Sequence, residues 1–305
     1  MRTVVITGAT GLVATELVRI LSDSNEYDIY LVSTHPNQLC ERYFTIDNLH
    51  ILTIDDLEAA YRETSVDVII HAGFARSSRG CDHVDSLAYT RRLLSFAQVN
   101  KPKSYVNISS QSVYGNTPDS PWKESSQLCP TDLYGMAKYA TEELTRQALD
   151  GTIVNWTNIR LCSICEKRRF IGVFVQNALD GKPINLTAPK QQCSFIDVRD
   201  VAAGLKAVIG HLGNTRFQKV YNLGANYQNT IGDIAQRVKH IGENKYHTTE
   251  VVINEISSNN ENKIGMDATL FREDFGWSPR YTMDDMIEAM FEAILSEKAS
   301  VKCSN

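Results

Sequence analysis

The residues of this chain best suited to proton transfer are a tyrosine and a lysine four positions apart. Tyr134 and Lys138 open a predicted helix that runs to about Leu149, and this spacing places both side chains on one helical face. An ammonium beside a phenol stabilises the phenolate and lowers the tyrosine pKa from ~10 toward neutrality, as proton transfer requires. The alternative is a surface tyrosine and lysine on an ordinary helix.

A serine in a neighbouring segment is a candidate partner for this pair. Ser110 follows a predicted strand over residues 104–108 and lies in the segment from Ser109 to Gly115. A hydroxyl at the end of that strand can hold the carbonyl or alcohol oxygen of a substrate beside Tyr134. Together, Ser110, Tyr134 and Lys138 predict chemistry at a carbon that bears oxygen.

A glycine-rich turn near the start of the chain predicts a phosphate-binding site. It lies between an apolar run over residues 3–6 and a helical pattern of apolar residues. Gly8 can adopt backbone angles closed to other residues, Gly11 lets the chain approach a ligand, and the following helix directs its free N–H groups at an anion. A turn without a ligand is the alternative. The residues expected to bind a dinucleotide here are Thr7, Gly8, Thr10, Gly11, Leu12 and Val13.

The ends of the next two predicted strands bear on the identity of the cofactor. The strand over 27–33 ends at Ser33 and Thr34, with no carboxylate to accept the ribose hydroxyls and repel a 2′-phosphate. This favours NADP as the cofactor, with NAD as the alternative. The strand over 49–54 ends at Asp55 and Asp56, where one carboxylate could accept the adenine amino group or cap the following helix.

A fourth predicted strand, over residues 66–70, is almost continuously apolar, as expected of a strand buried on both faces. The small residues Ala72 and Gly73 follow it and would let a cofactor lie across the strand end. His71 is predicted to be a packed core histidine without a chemical role.

Composition limits the classes of function. The 305 residues carry a net charge of −5, which disfavours nucleic acid and anionic membrane surfaces as partners. No apolar run reaches the ~20 residues of a membrane span, and a cytoplasmic protein is expected.

The seven cysteines are irregularly spaced, which favours reduced thiols. Cys162 and Cys165 form a CxxC pair without a second pair at matching spacing, so packing thiols are predicted and no metal site.

These segments together resemble the extended short-chain dehydrogenase/reductase superfamily, in its branch of NAD(P)-dependent sugar epimerases, dehydratases and ketoreductases. Residues 7–14 resemble the TGxxGxxG/A loop, 109–115 the SSxxVYG segment and 134–138 the YxxxK motif. Residues 194–202 and 275–281 are similar to the returning strand and helix and to the C-terminal LGWxPxY. The resemblance implies that Tyr134 is the general acid/base, that Lys138 binds the nicotinamide ribose, and that Ser110 orients the reacting oxygen.

The fold class implied is α/β, a Rossmann-type doubly wound parallel sheet with a smaller C-terminal α/β substrate lobe. Residues 1–163 plus 194–224 would form the NAD(P)-binding domain, and 164–193 plus 225–305 the substrate lobe. A homodimer is expected, with the helices over 87–99 and 134–149 at the interface. The rival to an enzyme is an NADP-sensing regulator, which would have no need of the three catalytic side chains.

The substrate predicted is a small molecule, favoured to be a nucleotide-activated sugar, for a ketoreductase or an epimerase. Family members that bind such sugars commonly grip the diphosphate with two arginines, but the matching positions here are Cys193 and approximately Ser258. Either other cations bind the diphosphate, or the substrate is a smaller carbonyl compound without a nucleotide. A 4,6-dehydratase is not expected, because Gln111 and Ser112 replace the Asp-Glu pair that such enzymes place after the hydroxyl residue. The candidate cations are Arg160, Arg168, Arg169 and Lys190.

Overall fold

A computed structural model describes residues 1–43, 45–60, 66–76, 80–118, 120–167, 169–213, 216–225, 229–255 and 264–303. Strands and helices alternate through the first half of the chain. The strands are β1 Arg2–Thr7, β2 Tyr27–Val32, β3 Leu49–Leu52, β4 Val68–His71, β5 Ser104–Ser110, β6 Asn155–Leu161, β7 Ser163–Ile164, β8 Ile184–Leu186, β9 Gln192–Cys193, β10 Phe195–Ile196, β11 Val220–Leu223, β12 Asn229–Thr230 and β13 Ile253–Glu255. The helices are α1 Leu12–Ser22, α2 Pro36–Tyr43, α3 Ile54–Ala60, α4 Gly80–Asn100, α5 Leu133–Leu149, α6 Phe170–Leu179, α7 Val198–Gly210, α8 Ile231–Lys245, α9 Thr269–Phe275 and α10 Met283–Cys303.

A seven-stranded parallel sheet organises the larger part of the molecule. Its strand order is β11-β6-β5-β4-β1-β2-β3, so the chain first moves outward through β2 and β3 and then returns to build on β4. The strand order reverses between β1 and β4, and in such sheets ligands bind at the carboxyl ends of the strands at that reversal. The predicted doubly wound α/β fold is confirmed.

Helices cover both faces of this sheet, and each face has its own apolar core. On one face α1 and α7 pack together, burying Leu17, Val18, Val201 and Leu205 completely. On the other face α4 and α5 pack together over Val5, Ile69 and Tyr105. Burial on both faces explains the continuous apolar runs that identified these strands in the sequence.

A third apolar cluster forms the smaller lobe. It joins α6, α8 and α10 with the short strands β8 and β13. Helix α8 is capped by Thr230 and Asp233, which form a reciprocal capping box. One part of the predicted division is corrected, because Met266, Phe271, Phe275 and Trp277 pack into the core of the large domain. The segment 264–277 therefore returns from the lobe to the central sheet.

No helix in the described part of the chain is both long enough and apolar enough to cross a membrane.

Candidate active site

The first turn of α5 is pressed against the segment that follows β5, and this contact brings Tyr134 to Ser110. Helix α5 is capped by Asp132, whose carboxylate accepts the Gly135 N–H at 2.6 Å. A Cβ at Gly135 would lie only 2.6 Å from the Ser112 carbonyl oxygen, so glycine is required for this approach. Ser110 is the last residue of β5; its hydroxyl donates a hydrogen bond to the Ser112 hydroxyl at 3.2 Å, and it lies near enough to the Tyr134 phenol to lower the pKa of that phenol.

Lys138 lies one turn further along α5, and its ammonium is buried. Its Nζ donates a hydrogen bond to the Ile108 carbonyl oxygen at 2.8 Å and lies 4.4 Å from the centroid of the Phe74 ring. Burial is the main cause that lowers the Lys138 pKa, to about 7, and the charge of Arg76 lowers it further. Glu142, one turn beyond, opposes both effects.

The pKa of Tyr134 differs from the sequence-based expectation in direction. Burial raises it above the ordinary value for tyrosine, and the largest opposing cause is the charge of Arg76, followed by Ser110 and Arg169. The Lys138 ammonium is 6.0 Å from the Tyr134 ring centroid and is engaged with the backbone. In this structure two arginines, rather than Lys138, therefore supply the positive charge that favours the phenolate.

The predicted cofactor loop lines a cavity of about 480 Å³ at the reversal of the strand order. Gly8 has a left-handed φ of +73°. A Cβ at this position would lie only 2.6 Å from the backbone of Gly73, so the close approach of these two segments requires glycine at position 8. Helix α1 begins after Gly11 without a side-chain cap and has no acidic residue in its first turn. Its N–H groups therefore remain for an anion, which fits a dinucleotide diphosphate. The lining residues are Gly8, Ala9, Thr10, Gly11, Val32, Ser33, Thr34, His35, Ala72, Gly73, Phe74, Ala75, Asp82, Asp85, Ser86 and Tyr89.

Three residues of the predicted cofactor loop, Thr7, Leu12 and Val13, do not line this cavity, and neither do Asp55, Tyr134 and Lys138. Thr7 instead supports the site: its hydroxyl accepts the Gly73 N–H at 3.1 Å and hydrogen-bonds to His71 Nδ1 at 2.8 Å. Leu12 and Val13 form the first turn of α1. Their position places backbone N–H groups at the helix N-terminus, where a side chain need not line the cavity.

The ring of Phe74 separates the cavity from the catalytic candidates. It stacks on His83, with centroids 5.9 Å apart, and meets Tyr134 edge-on at 6.2 Å. Among the described residues, the buried Nε2 atom of His83 has no hydrogen-bond partner. Neither Phe74 nor His83 was assigned a role from the sequence, because their contacts join β4, α4 and α5.

The structure does not bring Asp55, the residue predicted to contact adenine, to the lining of the cofactor cavity. Asp55 lies in the first turn of α3, mostly exposed, and forms an ion pair with Arg92 outside the cavity. Helix α3 is capped by Thr53 together with Asp56. Thr53 Oγ1 accepts the Asp56 N–H at 3.1 Å, and the Asp56 carboxylate accepts the Thr53 N–H at 3.0 Å. Both carboxylates thus have partners close by, Asp55 in Arg92 and Asp56 in Thr53.

His71 is packed in the core, as its sequence context predicts. Its ring nitrogens lie 2.8 Å and 2.9 Å from the hydroxyl oxygens of Thr7 and Thr90. Burial lowers the His71 pKa to about 3, so the imidazole is neutral. Its two hydroxyl partners tie β1, β4 and α4 together beneath the cavity.

Arg160 is not available to a substrate, which corrects a second prediction. Its guanidinium lies in the core, where Nη2 and Nε donate to the Glu142 carboxylate at 2.7 Å and 3.0 Å. The remaining nitrogen, Nη1, donates to the Tyr114 hydroxyl at 3.0 Å and to the Glu124 carbonyl oxygen at 3.2 Å. The donors are thus engaged within the protein, and both charged side chains are only 4% exposed.

Of the other predicted cations, Arg169 lies beside the catalytic candidates. It is the residue before α6, and its charge acts on Tyr134. Arg168 and Ser258 lie outside the described residues. Cys193 is buried in β9, and burial raises its thiol pKa to about 12.

Arg76 was missed from the sequence, although its guanidinium carbon lies 5.4 Å from the Tyr134 ring centroid. Its place five residues after the end of β4, at the carboxyl edge of the sheet, was the available signal.

In the CxxC pair, for which packing thiols were predicted, Cys162 is buried and Cys165 is partly buried. Cys162 donates to the Ser194 carbonyl oxygen at 2.9 Å, and burial raises its pKa to about 12. Among the residues that the structure describes, no group of three or more His, Cys, Asp or Glu side chains is arranged to hold a metal ion.

Two characterised proteins are similar to this chain in sequence. Over 96% of this chain and 99% of the relative, the sequence is 23% identical to the low-salt glycan biosynthesis protein Agl12 of Haloferax volcanii. It is 24% identical to a dTDP-glucose 4,6-dehydratase of Streptomyces niveus, over 76% of this chain and 69% of that protein.

Solved structures share the fold across nearly the whole chain. A UDP-glucuronic acid 4-epimerase from Bacillus cereus, in complex with UDP-glucuronic acid and NAD, superposes with a TM-score of 0.81 at 19% identity, covering 96% of this chain and 99% of its own. A UDP-glucose-4-epimerase from Stenotrophomonas maltophila, with bound NAD and formylated UDP-arabinopyranose, gives 0.82 at 17% identity, covering 98% and 100%. A model of the NAD dependent epimerase/dehydratase family matches residues 4–224, from β1 to the turn after β11. The chain therefore belongs to the NAD-dependent epimerase/dehydratase family.

Proposed function

We propose that this protein transfers a hydride at a carbonyl or alcohol carbon of a nucleotide-activated sugar, as a ketoreductase or an epimerase. The observation that carries the proposal is the meeting of Ser110, Tyr134 and Lys138 beside a glycine-lined cavity at the strand-order reversal. The relatives whose names state an activity act on nucleotide sugars, which supports the same substrate class here.

The cofactor would be held by the glycine turn, the N-terminus of α1 and the ends of β2 and β4. When bound, a nicotinamide dinucleotide accepts and returns the hydride. Ser33 and Thr34 bring hydroxyls without a carboxylate to the end of β2, so we propose NADP in preference to NAD. The nicotinamide ribose would contact Lys138, whose ammonium lies 4.4 Å from the centroid of the Phe74 ring.

The proton is moved by Tyr134. Its phenol gives a proton to the substrate oxygen during reduction and removes it during oxidation, while the Ser110 hydroxyl holds the same oxygen. Burial alone would keep the phenol protonated, and the charges of Arg76 and Arg169 counter that effect. The site can therefore stabilise the phenolate that forms when the proton leaves.

Water elimination at the sugar is not part of the proposal. Gln111 and Ser112 follow Ser110, and the Gln111 amide donates to the Ser163 hydroxyl at 2.8 Å. Neither side chain is a carboxyl group that could remove and return the protons of a 4,6-dehydration. Release of a 4-keto-6-deoxy sugar from a nucleotide hexose would contradict this assignment.

One observation favours a second candidate, reduction of a smaller carbonyl compound that carries no nucleotide. Cys193 is buried at the position where a diphosphate-binding arginine is expected, and Arg160 is engaged in the core. Neither side chain can make a charge-assisted contact with phosphate. The nucleotide-sugar function then depends on cations elsewhere in the lobe.

Calorimetry with UDP, dTDP, GDP and CDP in the presence of NADP or NAD separates the two functions. Micromolar binding of one nucleotide is expected, and Tyr134→Phe should retain this binding while losing turnover. If no nucleotide binds more tightly than about 1 mM, a binding free energy of only about −4 kcal/mol, the small-substrate function replaces the proposal.

A further inference from the structure

Two arginines meet beside the candidate catalytic tyrosine from different parts of the fold. Arg76 follows β4, with its guanidinium carbon 5.4 Å from the Tyr134 ring centroid. Arg169 immediately precedes α6, and its charge and that of Arg76 both lower the Tyr134 pKa. Burial lowers the pKa of Arg169, and the charge of Arg76 lowers it further, so the two guanidinium groups lie near each other.

These two cations share a single carboxylate. Glu166 Oε1 lies 3.6 Å from Arg76 Nη1, and Glu166 Oε2 lies 3.8 Å from Arg169 Nε. Both distances exceed those of a hydrogen bond, so the pairing is loose. Within the described part of the chain no other carboxylate pairs with either arginine, which leaves one positive charge in excess.

The cluster is open to a ligand. Both arginine side chains are 42% exposed and Glu166 is 29% exposed, in contrast to the buried pair of Arg160 and Glu142. The N-terminus of α6 adds to the positive potential, because its first turn has no acidic residue and Arg169 provides no side-chain cap. An arriving anion can therefore replace the loose contacts to Glu166 with direct ones.

We propose that the sugar on which this enzyme acts carries a carboxylate next to the reacting carbon, held between Arg76 and Arg169. The inference rests on the proposed function, because Tyr134 marks the position of the reacting oxygen. Because Arg76 and Arg169 lie beside the Tyr134 ring, they would face the sugar rather than the more distant nucleotide. A planar guanidinium matches a carboxylate through paired hydrogen bonds. Glu166 acts as the internal counter-ion when the site holds no substrate.

The test compares two ligands that differ only in this group, UDP-glucuronic acid and UDP-glucose, by calorimetry with NADP or NAD present. The acid is expected to bind at least tenfold more tightly. Arg76→Met and Arg169→Met should each weaken the acid by about ten- to a hundredfold and change UDP-glucose by less than threefold. Glu166→Gln should strengthen binding of the acid, because it removes the competing carboxylate. Arg146→Met is the matched control, since Arg146 lies at the far end of α5 and pairs with Glu143.

Two results would overturn the inference. Equal affinity of the unmodified protein for both UDP sugars would show that Arg76 and Arg169 do not form a carboxylate-binding site. Equal weakening of both sugars and of free UDP by the arginine variants would mean that the arginines bind the diphosphate. If neither UDP sugar binds, the protein does not recognise UDP, and the carboxylate site is tested without a nucleotide. The affinities for free glucuronate and for glucose are then compared. A tenfold preference for glucuronate supports the acid site, and equal binding overturns it.

Discussion

Replacing Arg160 tests whether this arginine is structural, as its contacts imply. Arg160→Met removes the partner of a Glu142 carboxylate that is 4% exposed. In the variant Glu142 would keep one donor among the contacts described here, the Ser109 hydroxyl at 2.5 Å. A buried carboxylate with so little compensation must either stay charged in a poorly solvating interior or take up a proton.

The magnitude follows from the burial of the pair. Breaking a buried ion pair by removing one partner destabilises a protein by roughly 3–5 kcal/mol. Total stabilities are about 5–15 kcal/mol, so this is a large share. At about 2 °C per kcal/mol for a chain of this size, the unfolding midpoint should fall by about 6–10 °C.

The assay is thermal unfolding followed by circular dichroism, with two further variants. Arg146→Met removes a half-exposed arginine paired with Glu143, and it should change stability by less than about 0.5 kcal/mol. Arg160→Met combined with Glu142→Leu should recover most of the loss, because no charge remains buried without a partner.

One pattern of results would refute this reasoning. If Arg160→Met unfolds at the temperature of the unmodified protein but binds a nucleotide sugar at least tenfold more weakly, then Arg160 faces the ligand. The sequence-based assignment of Arg160 to substrate binding would then stand against the contacts described above.

Four other predictions concern catalysis, pH, cofactor and assembly. Tyr134→Phe should lower kcat by about a hundredfold or more while the cofactor Kd stays within about threefold, and unchanged turnover would exclude Tyr134 as the acid/base. The Lys138 pKa of about 7 lies below its unfolded value of ~10.5, so the folded state binds fewer protons between these values and stability rises with pH across that window. Lys138→Met should therefore be more stable than the unmodified protein at pH 7 by a few kcal/mol, and urea unfolding at pH 10 should show a smaller difference; a constant difference would contradict the shift. Ser33→Asp should move the ratio of NADP to NAD affinity toward NAD by at least tenfold in fluorescence titrations, and an unchanged ratio would place the 2′-phosphate elsewhere. Light scattering should give twice the 34.2 kDa chain mass, and Met136→Glu, on a 52% exposed apolar position of α5, should halve it; a concentration-independent mass near 34 kDa for the unmodified protein would refute the dimer.

Local signals in the sequence were enough to identify the fold and the central residues of the candidate site. The apolar runs predicted the parallel strands because strands buried on both faces have no polar side to display. The i, i+4 spacing of Tyr134 and Lys138 depends only on helical geometry. The glycine turn was recognisable because few other residues adopt the left-handed angles of Gly8.

The roles of the charged residues were decided by the tertiary structure. Arg160 and Arg169 look alike as basic residues near a strand end. Only the packing of α5 against β6 brings Glu142 to Arg160 and removes it from solvent. Asp55 similarly forms an ion pair with Arg92 of α4, which lies 37 positions further along the chain. Electrostatic attraction over a few ångströms depends on neighbours in space, which residue spacing along the chain does not specify.

The environment of Tyr134 shows the same limit. The sequence places Lys138 one turn away and predicts that its ammonium lowers the tyrosine pKa. In the folded chain that ammonium is bound to the Ile108 carbonyl oxygen and covered by Phe74, while Arg76 and Arg169 arrive from two distant loops. Residue type and spacing thus predicted which side chain would move a proton, but the packing of β4, α5 and α6 decided which charges surround it.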